Sequence, residues 1–315
     1  MVEHSLDRLI RIISRLFVRS LFSGIPLACL FAIQCNISTL DCRQEDPSCS
    51  NSSLMSLIVI LYRPNAVYWG DSNDNGLYLS DLDSIESGTS RLLFTGPVSP
   101  NILFISADRK WAWFTGGIEN TAYRADLPAG PATVLDNGYS DIDGIFFAES
   151  TGILYISDSG SSTIYSATAD WTSHTMLGAP VGPRGLFIDS RDSKLYLADN
   201  TQIIRSELDF SGYTPIVATA GDPRDLEMDS DRSLIFWTDQ TGGAIRKAGT
   251  DGSGDTQIAS GLNSPFGIAL DTANQWVYYC ETGTNSIGRI KYDGSSQQMI
   301  FSGISCWDLE IARSF

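Results

Sequence analysis

Short apolar clusters rich in aromatic and β-branched residues recur from Tyr68 to the C-terminus, separated by Gly, Asp, Ser and Asn. This pattern is typical of short β-strands joined by turns, and it predicts an all-β domain. One four-residue cluster occurs six times with its last residues 40 to 45 positions apart, which is the size of one four-stranded β-propeller blade. The six copies are Tyr68-Trp69-Gly70-Asp71, Trp113-Phe114-Thr115-Gly116, Tyr155-Ile156-Ser157-Asp158, Tyr196-Leu197-Ala198-Asp199, Phe236-Trp237-Thr238-Asp239 and Tyr278-Tyr279-Cys280-Glu281.

Each copy lies within a longer repeat that contains four apolar segments. In the sixth repeat the segments are 264–271, 276–281, 287–294 and 298–303, and the fifth repeat has the same order over 222–229, 236–239, 244–248 and 256–259. Gly, Asp and Asn occupy the turns between them because these residues tolerate positive φ angles. The sequence therefore predicts four strands in each repeat.

This repeat resembles the YWTD repeat, also known as the LDL-receptor class B repeat, of six-bladed β-propellers. The resemblance covers roughly residues 65–315 and is carried by Phe236-Trp237-Thr238-Asp239, the Ile245-Arg246-Lys247 strand and Asp251-Gly252-Ser253. The second and third repeats depart from the pattern, with Gly116 in place of the Asp and Ile156 in place of the Trp. The resemblance implies a six-bladed propeller, and members of that family often bind extended protein segments at one end of the central channel.

The two ends of the repeat region complement each other. The first repeat has no apolar segment before Tyr68, and the segment 305–311 at the C-terminus aligns with the first strand of the fifth and sixth repeats. We therefore predict an all-β, six-bladed propeller over residues 65–315, closed by a C-terminal strand that pairs into the first blade. Closure removes a sheet edge that would otherwise invite aggregation.

The N-terminus has the pattern of an export signal. Four Arg residues precede an apolar run from Leu21 to Ile33, as in the basic and hydrophobic regions of a secretory signal. The run ends at Cys35, and Cys29 lies within it, so residues 1–34 resemble a spirochaete-type bacterial lipoprotein signal whose lipid would be attached to Cys35. The alternatives are lipidation at Cys29, cleavage without lipid and an uncleaved signal anchor.

Residues 35–64 are expected to form a tether that includes a short apolar segment, Leu54 to Leu61. Eight residues are too few to span a bilayer. The expected location is therefore the cell envelope, outside the cytoplasm, with the membrane reached through the lipid anchor.

The chain carries a formal net charge of −16. An acidic surface repels phosphate backbones, so nucleic acid is not expected as a partner. A monomer that binds a protein or a small ligand is expected instead.

Propellers bind ligands where the innermost strands begin, at the mouth of the central channel. The repeat alignment places one residue of each blade there, and these include two Arg residues and two aromatic residues, the types that dominate binding hot spots. The six predicted mouth residues are Asn101, Asp143, Arg184, Arg224, Phe266 and Trp307.

A second set of aligned positions lies deeper in the channel and comprises Phe104, Phe146, Phe187, Glu227, Ala269 and Glu310. A carboxylate in an apolar setting needs a partner. Either each Glu finds one in the protein, or Glu227, Glu310 and Asp308 hold a divalent cation. No other cofactor is expected.

The segment from Asp71 to Gly76 matches half of a calcium loop, but Leu82 replaces the bidentate Glu, which favours an ordinary turn.

Catalytic motifs are scarce, and His174 is the one histidine after the export segment. A binding module is therefore favoured over an enzyme, and no catalytic residue is assigned. The alternative is an enzyme similar to the gluconolactonase or lyase propellers, with a cation in the channel. A purely structural role is also open.

Cys280 and Cys306 fall in neighbouring blades, and the sequence does not decide whether they are bonded.

Overall fold

The structure is a computed structural model that describes residues 65–312, except 97–98, 117–120, 129, 137 and 219–221. These residues form six antiparallel sheets of four strands each, arranged as the blades of a propeller. The predicted fold class is confirmed. The predicted export segment (1–34), tether (35–64) and lipid-bearing Cys35 lie outside the described residues. Among the described residues, no helix is long and apolar enough to cross a bilayer.

The innermost strand of each blade lines the central channel. These strands are β4 (Pro100–Ile105), β8 (Ile142–Ala148), β12 (Pro183–Asp189), β16 (Pro223–Asp229) and β20 (Pro265–Asp271) for blades two to six, and β24 (Leu309–Ala312) for blade one. The second strands are β1 (Ala66–Asp71), β5 (Trp111–Gly116), β9 (Ile153–Asp158), β13 (Lys194–Asp199), β17 (Leu234–Asp239) and β21 (Trp276–Glu281).

The third and fourth strands complete each blade towards its outer edge. The third strands are β2 (Gly76–Asp81), β6 (Thr121–Asp126), β10 (Thr163–Thr168), β14 (Gln202–Glu207), β18 (Ala244–Gly249) and β22 (Ser286–Lys291). The outer strands are β3 (Arg91–Thr95), β7 (Ala132–Asp136), β11 (His174–Gly178), β15 (Thr214–Ala218), β19 (Thr256–Ala259) and β23 (Gln298–Ser302). A 3-10 helix, Leu82–Ser87, follows β2.

The repeated clusters lie in the second strands, and their aromatic side chains pack between neighbouring blades. The Trp113 ring of blade two stacks on Phe147 of blade three at 4.6 Å, and Phe236 of blade five contacts Tyr292 of blade six at 4.4 Å. Trp113 and Phe236 are fully buried. These contacts bury large apolar areas and set the spacing between the blades.

The acidic residue that ends the cluster ties its strand to the segment entering the same blade. Asp158 accepts hydrogen bonds from the backbone N–H groups of Ser140 (3.0 Å) and Asp141 (2.8 Å), and Asp239 accepts one from Asp222 (3.0 Å). Burial alone would raise the pKa of Asp158, but these donors together with Ser161 hold it below its ordinary value. The last residue of the cluster therefore has a structural role.

The C-terminal strand closes the ring as predicted. β24 pairs antiparallel with β1, with Leu309 opposite Trp69 and Ile311 opposite Val67. The closing segment is also joined to blade six by a disulfide between Cys280 and Cys306, whose Cα atoms are 5.5 Å apart. The sequence left this pairing undecided.

Candidate functional site at the channel mouth

The innermost strands of blades two to six carry an irregularity directly after their first residue. In β12 the ladder register shifts between Pro183 and Leu186, and in β16 it shifts between Pro223 and Leu226. A β-bulge re-aims the side chain that it carries. The bulged residues include Arg184 and Arg224, so the same local distortion directs predicted mouth residues towards one another.

Four charged side chains form a linked array across the mouth. The Nη1 atom of Arg184 lies 2.7 Å from Oδ2 of Asp143, and its Nη2 atom lies 3.6 Å from Oδ1 of Asp222. Asp222 in turn contacts Arg224, with 2.8 Å between Oδ2 and Nη2. We call these four residues the mouth quartet. Burial and the nearby Arg184 lower the pKa of Arg224, while Asp222 opposes this effect.

The quartet continues directly into two aromatic side chains. The guanidinium of Arg224 lies 5.3 Å from the centre of the Phe266 ring, which is within the range of a cation–π contact. Phe266 meets Trp307 edge to face at 5.1 Å. Phe266 is buried, whereas Trp307 is 37% exposed. The mouth therefore presents an exposed indole beside a charged array.

The sixth predicted mouth residue, Asn101, has a different neighbour. Its Oδ1 atom accepts a hydrogen bond from the hydroxyl of Ser72 at 3.3 Å. Ser72 also accepts a hydrogen bond from Ser99 at 2.6 Å. The structure thus links five of the six predicted residues through Asp222, which the sequence analysis did not select, and gives Asn101 a separate contact.

Two carboxyl groups lie one residue beyond the mouth residues of blades five and one, the half-buried Asp225 and the buried Asp308. Asp225 accepts hydrogen bonds from the backbone N–H groups of Leu226 (2.8 Å) and Ile268 (2.9 Å). Asp308 accepts them from Leu103 and Leu309, each at 2.8 Å. Each carboxyl group therefore joins its own blade to the next one around the ring.

The carboxyl groups of Asp225 and Asp308 also interact electrostatically with each other. Burial raises the pKa of both groups, and the charge of Asp225 raises that of Asp308 further. Both carboxyl groups therefore take up a proton at a higher pH than an ordinary aspartate does.

Glycines in two blades make room for this pair. A Cβ atom on Gly185 would lie 2.3 Å from Oδ1 of Asp225, and one on Gly267 would lie 2.6 Å from Oδ1 of Asp308. The aligned position is Gly in blades three, four and six, Ile in blade two and Asp in blades five and one. Comparison of the repeats therefore marks Asp225 and Asp308 as the two acidic residues at this position.

The deeper channel positions lie at the opposite end of the channel from the mouth. The Phe146 ring is 4.9 Å from both Phe104 and Phe187, and Ala269 is buried. Glu227 and Glu310 are half-buried and line the same end of the channel.

The cation site suggested by the sequence comprises Glu227, Glu310 and Asp308. Among the residues that the structure describes, no group of three or more His, Cys, Asp or Glu side chains is placed to hold a metal ion. Both oxygens of Asp308 accept backbone N–H bonds, whereas Glu227 and Glu310 line the far end of the channel.

Two other sequence motifs have structural positions. Asp71 accepts a hydrogen bond from the N–H group of Asn73 (3.0 Å) in the turn between β1 and β2, as expected of an ordinary turn, and a second one from Ser305 (3.1 Å) of the C-terminal segment. His174 begins the outer strand β11 and stacks on Trp171 at 6.1 Å. It therefore lies at the outer edge of blade three, away from the channel.

Comparisons with known proteins identify the fold. Neither a protein-family model nor a curated protein sequence matches the chain. A chain in the crystal structure of a nidogen/laminin complex is similar, with a TM-score of 0.72 and 19% identity over 79% of this chain and 98% of that one. The structure of putative TolB from Agrobacterium tumefaciens is also similar, with a TM-score of 0.61 and 14% identity over 77% and 90%. At these identities the likeness supports the propeller fold alone.

Proposed function

We propose that this chain is a non-enzymatic binding module that holds a protein segment at the channel mouth. The observation that carries the proposal is the continuous line of contacts from Asp143 through the mouth quartet to Phe266 and the exposed Trp307. Trp and Arg are enriched among the residues that dominate binding energies. Both residue types occur at this mouth, although the chain as a whole is acidic, with a formal net charge of −16.

The mouth combines an apolar anchor with polar groups that are not saturated. Among the described residues, the Nε atom of Arg184 is buried and has no hydrogen-bond partner, and the buried Oδ1 atom of Asp222 has no hydrogen bond but lies 3.6 Å from Nη2 of Arg184. A buried polar atom without a partner raises the free energy of the unbound state. A bound segment with an aromatic side chain against Trp307 and a polar group near the quartet would relieve part of this cost.

The similar chain comes from the structure of a complex between two proteins, nidogen and laminin. This supports a protein over a small molecule as the partner of this chain. The acidic surface argues against nucleic acid.

The experiment is a selection of phage-displayed random peptides on the purified protein, followed by affinity measurements on the variants. Trp307→Ala and Arg184→Ala should each weaken the selected peptides by about 2 kcal/mol, or roughly thirtyfold in Kd. Trp111→Ala is the matched control, because Trp111 is 36% exposed, close to the 37% of Trp307, and begins β5 at the other end of the channel. Peptides that bind Trp307→Ala as tightly as the parent protein would exclude the mouth.

We further propose that the chain is exported as a monomer and anchored to the cell envelope by lipid on Cys35. The Cys280–Cys306 disulfide supports the exported location, because disulfides persist mainly in oxidising compartments. The test is labelling of cells with radioactive palmitate. Label that is lost in Cys35→Ala but kept in Cys29→Ala supports the assignment, whereas label that survives Cys35→Ala rejects it.

A further inference from the structure

The channel opens at its second end into a cavity of about 320 Å³. It lies where the innermost strands finish, at the end of the channel opposite the mouth. A volume of this size is at the lower end of the range of small-ligand sites and would hold on the order of ten water molecules. We call this cavity the cup.

The wall of the cup has an aromatic half and an acidic half. The deeper channel positions supply Phe104, Phe146 and Phe187 from three consecutive blades, with adjacent ring centres 4.9 Å apart. Because the ring of six blades is closed, the remaining three blades complete the opposite side, and two of them supply Glu227 and Glu310.

The position between the two glutamates around the ring belongs to Ala269, which is small and buried. The Glu227 and Glu310 side chains therefore flank a place where no large side chain intrudes from blade six. Both are half-buried, so their carboxylates keep some contact with the space inside the cup.

The rim keeps a net negative charge. Among the described residues that line the cup, six are acidic and one, Arg191, is basic. Arg191 is paired with Asp231 of the rim, and Arg232, which lies beside the rim, is paired with Asp229. A concave site with an excess of one sign of charge concentrates ions of the opposite sign.

We propose that the cup binds a primary alkyl ammonium group, with the charged head between Glu227 and Glu310 and the alkyl stem against the three phenylalanine rings. The carboxylates offset the loss of water around the ammonium, and the rings bury the stem and contribute cation–π attraction. A bare metal ion fits less well, because the aromatic half offers it no oxygen ligand. No group of three ligating side chains is available among the described residues.

The alkyl ammonium group could belong to one of two ligands, a free diamine or the lysine side chain of a protein segment. The first probe is pentane-1,5-diamine, measured by isothermal titration calorimetry on the full chain, with pentane-1,5-diol as the uncharged analogue. The second is a short peptide with a central lysine, with its Nε-acetylated form as the analogue. The charged probe that binds more tightly, the diamine or the peptide, identifies the source. Loss of binding in the corresponding uncharged analogue shows that the cup recognises the ammonium group.

The variants test the placement. Glu227→Gln together with Glu310→Gln should weaken the better charged probe by at least tenfold, and Phe146→Leu should weaken it severalfold. Asp83→Asn together with Asp126→Asn removes the same two charges from exposed positions outside the cup and should change affinity by less than twofold. Trp307→Ala at the mouth should leave binding unchanged, which separates this site from the proposed function.

Thermal unfolding of each variant establishes that it is folded before affinity is compared. The proposal is overturned if neither charged probe binds the parent protein, or if the paired glutamine variant is folded and binds as tightly as the parent. It is also overturned if the diol binds as tightly as the diamine, because the site would then recognise the stem without the charge.

Discussion

Cys280 and Cys306 connect the second strand of blade six to the segment that enters the closing strand, with 5.5 Å between their Cα atoms. Both residues are fully buried. The connected segment also donates the backbone N–H of Ser305 to Asp71 of blade one. The disulfide therefore stabilises the point at which the two ends of the propeller meet.

Reducing this disulfide should lower the free energy of unfolding. A crosslink over a sequence separation of 26 residues contributes about 3.5 kcal/mol by loop-closure entropy. Urea unfolding with and without dithiothreitol measures the difference, and we expect a lower midpoint under reducing conditions. The double variant Cys280→Ala/Cys306→Ala should be insensitive to the reductant, and sensitivity that persists there would assign the effect to other cysteines.

Removing the closing strand should destabilise the whole propeller. Deletion of residues 304–315 exposes the edge of β1 and removes the buried side chains of Leu309 and Ile311 together with Cys306. We expect a lower Tm and self-association measurable by size-exclusion chromatography, because an open sheet edge pairs readily with other chains. Deletion of residues 313–315 alone is the control and should have little effect. An unchanged Tm after the longer deletion would contradict the role of β24.

The sequence predicted the blades well because their determinants are local. The aromatic clusters and the turns recur at a nearly constant spacing, so the strand order and the pairing of segment 305–311 into blade one followed from the repeat. The positions of Arg184, Arg224, Phe266 and Trp307 around one opening followed from the same alignment.

The contacts between blades could not be predicted in the same way. The approach of Asp225 and Asp308 to each other depends on how closely blades five, six and one pack. The same holds for Asp222, which precedes its strand and bridges two arginines only after the blades have packed. The Cys280–Cys306 distance likewise depends on the path of the closing segment.

Asp225 and Asp308 should make the free energy of unfolding depend on pH above the range in which ordinary carboxyl groups titrate. Burial raises the pKa of Asp225 to about 7, and the pKa of Asp308 is raised by burial, by Asp225 and by Glu310. A carboxyl group whose pKa is raised on folding stabilises the protein fully below its unfolded pKa near 3.9, and this contribution is lost as pH rises through the folded value. We therefore expect the free energy of unfolding to fall from about pH 4 through pH 7 in urea titrations.

Asp308→Asn should reduce this slope, because it removes one of the two carboxyl groups whose pKa is raised and takes the charge of Asp308 away from Asp225. Aspartates with lowered pKa values, such as Asp158 and Asp108, affect stability only at more acidic pH and do not interfere in this window. Asp126→Asn, at an exposed position, is the control and should keep the parent slope. Equal slopes in the parent and in Asp308→Asn would show that the pair does not titrate as proposed.

Gly185→Ala should destabilise the protein through a contact with Asp225 rather than through its own backbone. The added Cβ atom would lie 2.3 Å from Oδ1 and 2.7 Å from Cα of Asp225, so blade four and blade five must separate or the carboxyl group must move. Overpacking of this kind costs typically 1–3 kcal/mol.

Because the clash includes the carboxyl group, Asp225→Ala should absorb part of the cost, and the double variant should lose less stability than the two single variants combined. Urea unfolding of the four proteins of this cycle measures the coupling. Strict additivity would place the cost of Gly185→Ala elsewhere in blade four.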